Sequence, residues 1–261
     1  MRINRHISLV LVAAGVLLVA GCGHLPGRSA SPASPANPAS PASPVAPPAV
    51  GSDAVFGPSF DTTEGKVDAG TAFLVKWKDG KLILLTAHHL FGEAGGMKHE
   101  YSDTELRKAV KSVRAESLFG DAVITSNRLV DLPGAAAFEN LDLRKDLAAF
   151  AVDQAGDATA LELASADPKP GERVYLLARA SGSDDMLHPA VVKKATSEHL
   201  SYVFDDNVEL RGTSGGPVLN AKGQVVGVNL AGDDDGGETY GYANPVTSVR
   251  SLVEKGLART G

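Results

Sequence analysis

Beyond Gly51, apolar residues come in short runs, several of them alternating with polar ones, and the runs are broken by Gly, Pro, Asp and Asn. Gly70 to Val75 (GTAFLV), Lys81 to Ala87 (KLILLTA), Leu147 to Val152 (LAAFAV), Arg173 to Ala178 (RVYLLA), Ala190 to Lys194 (AVVKK), Gln224 to Leu230 (QVVGVNL) and Thr239 to Asn244 (TYGYAN) fit this description. Such segments predict strands, because a period of two places every second side chain on one face and the bounding residues favour turns. Two stretches follow a helical period instead, Thr104 to Arg114 and Pro245 to Leu257, the second with Val246, Val249, Leu252 and Val253 on one face. Many short strands between frequent turns, with helix confined to the edges, favour an antiparallel barrel or sandwich.

The first 50 residues follow a different pattern. Arg2 and Arg5 precede a fourteen-residue, largely apolar run from Ile7 to Ala20, which ends at Val19-Ala20-Gly21-Cys22. The run is too short to span about 30 Å of hydrocarbon as a resident helix, but it suits the hydrophobic region of an export signal. The small residues before the cysteine resemble the bacterial lipobox. That resemblance implies cleavage after residue 21 and acylation of Cys22. Residues 29–50 then hold 7 Pro, 7 Ala and 5 Ser among 22 positions, with no charge and no aromatic ring. A chain of that kind is biased toward an extended polyproline II spacer of about 3.1 Å per residue. The expected organisation is a signal peptide over 1–21, a lipidated Cys22 with its linker over 22–50, and one globular domain over 51–261.

Charge and cysteine content narrow the functional classes. There are 25 Lys plus Arg against 31 Asp plus Glu and no basic block, which argues against a nucleic-acid partner. Removal of residues 1–21 takes away Arg2 and Arg5 and no acid, leaving 23 basic and 31 acidic side chains and a formal charge of −8. Contact with a membrane is therefore expected through acyl chains rather than electrostatic adhesion. The single cysteine excludes an intrachain disulfide framework.

Three local signals carry chemistry. Gly212-Thr213-Ser214-Gly215-Gly216-Pro217 sets a serine on a glycine-flanked turn, which can expose a nucleophile and leave the amides of Gly212 and Ser214 to converge on an oxyanion. The plain alternative is a Gly-Ser hairpin. Upstream, the strand ending at Leu85 runs into Thr86-Ala87-His88-His89, where one histidine is expected to face inward and the other outward. Asp146, immediately before the alternating run Leu147 to Val152, suits an acid that orients an imidazole, with Asp142 and Asp153 as neighbouring competitors. No metal is expected at the His pair, since adjacent side chains diverge and further ligands are missing. Consecutive acids at Asp233 to Asp235 lack the alternation of a calcium loop and read as a solvated hairpin turn.

Taken together, in the chain order His, Asp, Ser, these signals resemble a chymotrypsin-fold, trypsin-like serine peptidase of the HtrA-type bacterial branch. The resemblance runs from about Gly70 to Leu252. It includes Lys169-Pro-Gly-Glu-Arg-Val174 and Gly241-Tyr-Ala-Asn-Pro245, similar to Lys-x-Gly-Asp-x-Val and Gly-Phe-Ala-Ile-Pro segments of that branch. It implies an all-β fold of two six-stranded antiparallel β-barrels with a C-terminal α-helix, and no cofactor. It further implies His89 as base, Asp146 as orienting acid and Ser214 as nucleophile, with the amides of Gly212 and Ser214 as oxyanion hole. The walls of the substrate pocket are implied at Val208, at Asn229, Leu230, Ala231 and Gly232, and at Gly241. Val208 stands where enzymes with basic specificity carry an acid, so an apolar residue before the scissile bond is expected.

The match has limits. Sixteen residues follow Pro245, too few for the PDZ domain typical of HtrA proteins, and Gly92 to Phe119 matches no part of the pattern and reads as a rim loop or peripheral insertion. Thr213 carries no carboxylate to pair with a newly cut N-terminal amine, so the site is expected to form without proteolytic priming. Two functions follow from these readings: a lipid-anchored envelope endopeptidase acting on proteins or peptides, or a silent peptidase-like domain that binds protein partners.

Overall fold

The computed structural model describes residues 46–260; the signal segment, Cys22 and most of the proline-rich spacer lie outside the described residues. The first barrel is built from β1 (Val55–Thr62), β2 (Gly65–Asp68), β3 (Ala72–Lys76), β4 (Leu82–Thr86), β5 (Val110–Ser117), β6 (Val123–Ser126) and β7 (Ala148–Val152). Its strand path is β6-β5-β1-β3-β4-β7, with β2 a hairpin arm on β1. Past β6 the chain returns to β7, where Leu129 bridges Phe150, the Val130 amide donates to the Ala149 carbonyl at 2.8 Å, and the Ala151 amide to Arg128 at 2.9 Å. Six strands thus come round nearly to closure. The second barrel, from β8 (Arg173–Leu177), β9 (Leu187–Ala195), β10 (Leu200–Phe204), β11 (Pro217–Asn220), β12 (Val225–Asp235) and β13 (Glu238–Pro245), closes fully in the order β10-β13-β12-β11-β8-β9. Helix α2 (Val246–Thr260) follows it with Val246, Val249, Leu252 and Val253 buried, as the apolar spacing predicts.

The uninterrupted apolar run of β4 has a geometric cause. Leu84 points into the first barrel, where Phe60 lies edge-on to Phe91 at 4.5 Å and stacks on Phe150 at 5.9 Å. Its neighbours Ile83 and Leu85 point the other way, into a second cluster with Leu176, Val218, Val228 and Val249. Phe73 and Val75 of β3 do the same. A strand buried on both faces loses the polar alternation of a surface strand. This shared wall joins the barrels and brings the ends of β3 and β4 beside the second barrel.

The structure corrects two expectations. The helix predicted over Thr104 to Arg114 stops early: α1 (Asp103–Ala109) is capped by Ser102 and Glu105 in a reciprocal capping box, and the chain continues as β5. Val110, Val113 and Ala115 fit either period, and pairing with β1 and β6 decides for strand. Residues 92–119 are therefore not a peripheral insertion, since they contribute β5 to the first barrel. Strand β1 is a further element not predicted, and Gly57 and Pro58 interrupt its pattern. On one edge β1 pairs with β3 through Val55 and Phe56 and with β2 through Ser59 to Thr62, leaving Gly57 and Pro58 at the change of partner. The missing proline N–H falls where that edge has no partner.

Candidate active site

Thr86, the last residue of β4, pairs with Ala148, the first of β7, so the residues just beyond the one strand and just before the other share one end of the ladder. His88 and His89 follow β4 in a 3₁₀ turn, and Asp146 precedes β7. The aspartate is fully buried. Its Oδ1 accepts the amides of His88 (2.6 Å) and His89 (3.0 Å), and its Oδ2 accepts the Nδ1–H of His89 at 2.7 Å and the Phe138 amide at 3.4 Å. A buried carboxylate with both oxygens occupied fixes the imidazole with the proton on Nδ1, leaving Nε2 as the basic nitrogen. The Phe138 ring stands edge-on to His89 at 5.7 Å. His88 turns into the first barrel, where its Nε2–H donates to the Tyr101 carbonyl at 2.7 Å. The competitors are elsewhere: Asp142 pairs with Arg144, and Asp153 with Arg128.

Ser214 sits on the turn that enters β11. A Cβ on Gly215 would collide with the Thr71 carbonyl, the Thr86 hydroxyl and the Ala87 amide, so this turn packs directly against the segment leading to His89. Gly215 also has φ +88°, which an L side chain rarely adopts. The bonding of the turn is selective. The Thr213 amide donates to the Leu210 carbonyl (3.1 Å), that of Gly215 to Asn229 (2.7 Å) and that of Gly216 to Thr213 (2.9 Å). The Arg211 amide donates to the Glu209 carboxylate at 3.1 Å. Among the described residues, only the amides of Gly212 and Ser214 within 211–216 lack a protein acceptor. Two N–H groups left free on one turn beside a serine hydroxyl can receive a developing oxyanion.

Asn229 is the hub behind the turn. Expected among the pocket walls, its side chain is buried: Nδ2 donates to the Thr213 hydroxyl at 2.9 Å, and Oδ1 accepts the Tyr202 hydroxyl at 2.6 Å. The Thr213 hydroxyl in turn donates to the Leu210 carbonyl at 2.7 Å. Burial holds the Tyr202 phenol well above its ordinary pKa, so it stays a neutral donor. A chain of uncharged groups thus occupies the place behind the serine.

On the next residue the β12–β13 register slips between Asn229 and Ala231, and such a bulge re-aims its residue. The Leu230 carbonyl accepts the Ser214 hydroxyl at 3.4 Å. This long contact, rather than a bond to His89, is the one the hydroxyl makes here, and such bonds often tighten only with substrate in place. Beyond it Ala231 is half-buried and Gly232 exposed, while Val208 is half-buried and Gly241 buried. A Cβ on Gly232 would strike the Leu210 side chain, and one on Gly241 the Tyr202 ring. Space beside both glycines is already filled by apolar groups. Asp233 to Asp235 lie exposed on the hairpin that turns at Gly236 and Gly237, both at positive φ. Among the described residues, no cluster of three or more His, Cys, Asp or Glu is arranged to hold a metal ion.

Comparison with known proteins places the domain in a family. The family profile described as "Trypsin-like peptidase domain" matches residues 70–228, well over half of the chain. The chain belongs to the trypsin-like peptidase family. This trypsin-like domain is 27% identical over 203 residues to the serine protease Do-like HtrA of Bacillus subtilis, covering 77% of the chain and 41% of that relative. To the periplasmic serine endoprotease DegP of Salmonella typhimurium it is 26% identical over 164 residues, covering 53% of the chain and 34% of the relative. The chain thus spans less than half the length of these curated relatives. Among solved structures it is similar in fold to the thermostable serine protease AL20 from an extremophilic microorganism, with TM-score 0.54 and 16% identity over 77% of this chain and 95% of that one. The active form of the Rv3671c protease from M. tuberculosis gives TM-score 0.52 and 18% identity over 83% and 91%. Both likenesses concern the two-barrel fold.

Proposed function

We propose that this chain is a serine endopeptidase of the bacterial envelope that cleaves proteins or peptides through an acyl-enzyme. Ser214 is the nucleophile, His89 its base, Asp146 the acid that orients His89, and the amides of Gly212 and Ser214 form the oxyanion hole. The observation that carries this reading is the bonding of the serine turn, in which the two amides needed for an oxyanion are the two without a protein partner. The buried His89–Asp146 bond and the naming of the HtrA and DegP relatives as proteases support it.

The chemistry follows from these positions. As Oγ of Ser214 attacks the substrate carbonyl, its proton passes to Nε2 of His89, and the Asp146 carboxylate at Nδ1 stabilises the imidazolium. The carbonyl oxygen, now negative, lies on the two free amides. The imidazolium then protonates the leaving amine, the C–N bond breaks, and a water activated by the same histidine releases the acyl group and restores the Ser214 hydroxyl. Val208, half-buried and uncharged, offers no carboxylate to a basic side chain, which supports a preference for an apolar residue before the scissile bond. Cys22 carries the acyl anchor that ties the chain to the membrane.

Full-length protein and Ser214→Ala, compared with a fluorophosphonate probe and a peptide substrate, test the central assignment. Loss of both signals in a variant with an unchanged circular dichroism spectrum is expected. Labelling that survives the substitution would refute Ser214 as nucleophile, and a folded wild-type protein that neither labels nor cleaves would favour the silent binding domain.

A further inference from the structure

Thr71, at the entry to β3, is buried, carries no charge and lies outside the triad and the pocket walls, yet both of its hydrogen-bond donors are directed at the serine turn. Its hydroxyl donates to the Gly212 carbonyl at 2.8 Å, and its amide to the Ser214 carbonyl at 2.8 Å. Its own carbonyl accepts the Thr86 hydroxyl at 2.7 Å, from the strand that leads to His89. Gly70, just before it, has no Cβ, and one placed there would lie 2.7 Å from the Ser214 carbonyl. The clasp crosses between barrels, since Thr71 belongs to the first and the serine turn to the second.

These bonds bear on the oxyanion donors through the geometry of consecutive peptides. Each peptide unit is planar, so fixing its carbonyl fixes the direction of the amide across the plane. The Gly212–Thr213 plane is held by Thr71 on the oxygen side and by the Leu210 carbonyl on the nitrogen side. The Ser214–Gly215 plane is held by the Thr71 amide and the Asn229 carbonyl. Between them lies the peptide that presents the Ser214 N–H. The Gly212 N–H lies at the outer edge of the clasp. Gly212 has φ +84°, is exposed, and would meet nothing if given a Cβ, so no packing restrains rotation there. Glycine rotates at little steric cost, so hydrogen bonds rather than packing must hold its carbonyl. The Thr71 hydroxyl is the bond that holds the Gly212 carbonyl against this rotation.

We infer that Thr71 is a positioning residue for the proposed peptidase, its hydroxyl holding the Gly212 carbonyl so that the amides of Gly212 and Ser214 stay aimed at the oxyanion. The inference rests on the peptidase reading above. It assigns to a neutral side chain of the first barrel the ordering of a loop in the second.

Thr71→Val removes the hydroxyl and keeps the volume, and Thr71→Ser restores the hydroxyl without the methyl group. With full-length protein in detergent, we expect Thr71→Val to lower kcat and the fluorophosphonate labelling rate about 10- to 100-fold, less than the about 10²- to 10³-fold loss from deleting an oxyanion donor outright. KM should stay within about threefold, and Thr71→Ser should recover to within about threefold of wild type in both rates, because the lost interaction acts in the transition state. If Thr71→Val does not fold, Thr71→Ala carries the same expectation. Wild-type rates in Thr71→Val, a change confined to KM, or equal impairment of the Val and Ser variants would each overturn the inference while leaving the peptidase reading intact. A wild-type protein that does not label removes that reading and the inference with it.

Discussion

Replacing Asp146 by Asn tests the triad at its most constrained atom. The exchange is nearly isosteric, but only one side-chain atom can still accept hydrogen bonds. Oδ1 of Asp146 receives two backbone amides, from His88 at 2.6 Å and His89 at 3.0 Å, whereas Oδ2 receives the His89 ring at 2.7 Å and a long contact from Phe138. An asparagine that kept its oxygen on the two amides would turn its NH₂ toward Nδ1 of His89. The imidazole would then carry its proton on Nε2 and could not accept one from Ser214. The opposite orientation leaves two buried amides unpaired at about 1–3 kcal/mol each, or about 2–6 kcal/mol together. At about 1.4 kcal/mol per decade, this holds the productive tautomer to roughly one part in 30 to one part in 20,000. The loss in kcat should therefore approach the order of 10⁴ known for the equivalent exchange in a Ser-His-Asp triad. Steady-state hydrolysis of a chromogenic peptide measures it, with the melting temperature recorded alongside. Activity within about tenfold of wild type in a folded Asp146→Asn protein would show that this carboxylate does not set the tautomer. Asp142→Asn, which disturbs only the exposed pair with Arg144, is the matched control and should change little.

Other substitutions separate catalysis from folding. His89→Ala should reduce turnover about as severely as Ser214→Ala, since triad members act as a unit, while His88→Ala should lower the melting temperature through loss of the bond to Tyr101 and keep most of the turnover per folded molecule. An exchange of these phenotypes would reverse the histidine assignment. Phe60→Ala, in the aromatic cluster with Phe91 and Phe150, should cost about 3–5 kcal/mol in denaturant unfolding; under about 1 kcal/mol would mean that the first barrel does not depend on this cluster. Cys22→Ala should abolish incorporation of a fatty-acid analogue and release the protein from membranes, and undiminished incorporation would place the lipid elsewhere.

The segments whose side chains alternate or run continuously apolar could be read as strands because burial on one or both faces leaves that imprint directly in the sequence. Strand β5 could not, since Leu106, Val110 and Val113 satisfy a helical period and only pairing with β1 and β6 ends the helix at Ala109. The candidate site divides in the same way. His89, Asp146 and Ser214 stand out by residue type beside characteristic neighbours. The residues that hold them do not. Thr71, Thr86 and Asn244 are ordinary polar residues at strand ends, and their roles depend on partners far away in sequence: Asn244 donates to the Asp146 carbonyl at 3.3 Å across 98 positions. Asn229 was visible only as a residue near the pocket, because a sequence does not indicate which way a side chain turns at a bulge.

In the proposed site, a reacting group on Ser214 places its anionic oxygen on the amides of Gly212 and Ser214. A crystal structure of the fluorophosphonate adduct tests it most directly. A P–O bond to Oγ of Ser214 is expected, with the phosphoryl oxygen about 2.7–3.1 Å from both amide nitrogens and Nδ1 of His89 still bonded to Asp146. An adduct on another residue, or a phosphoryl oxygen turned to solvent while both amides stay unpaired, would contradict it.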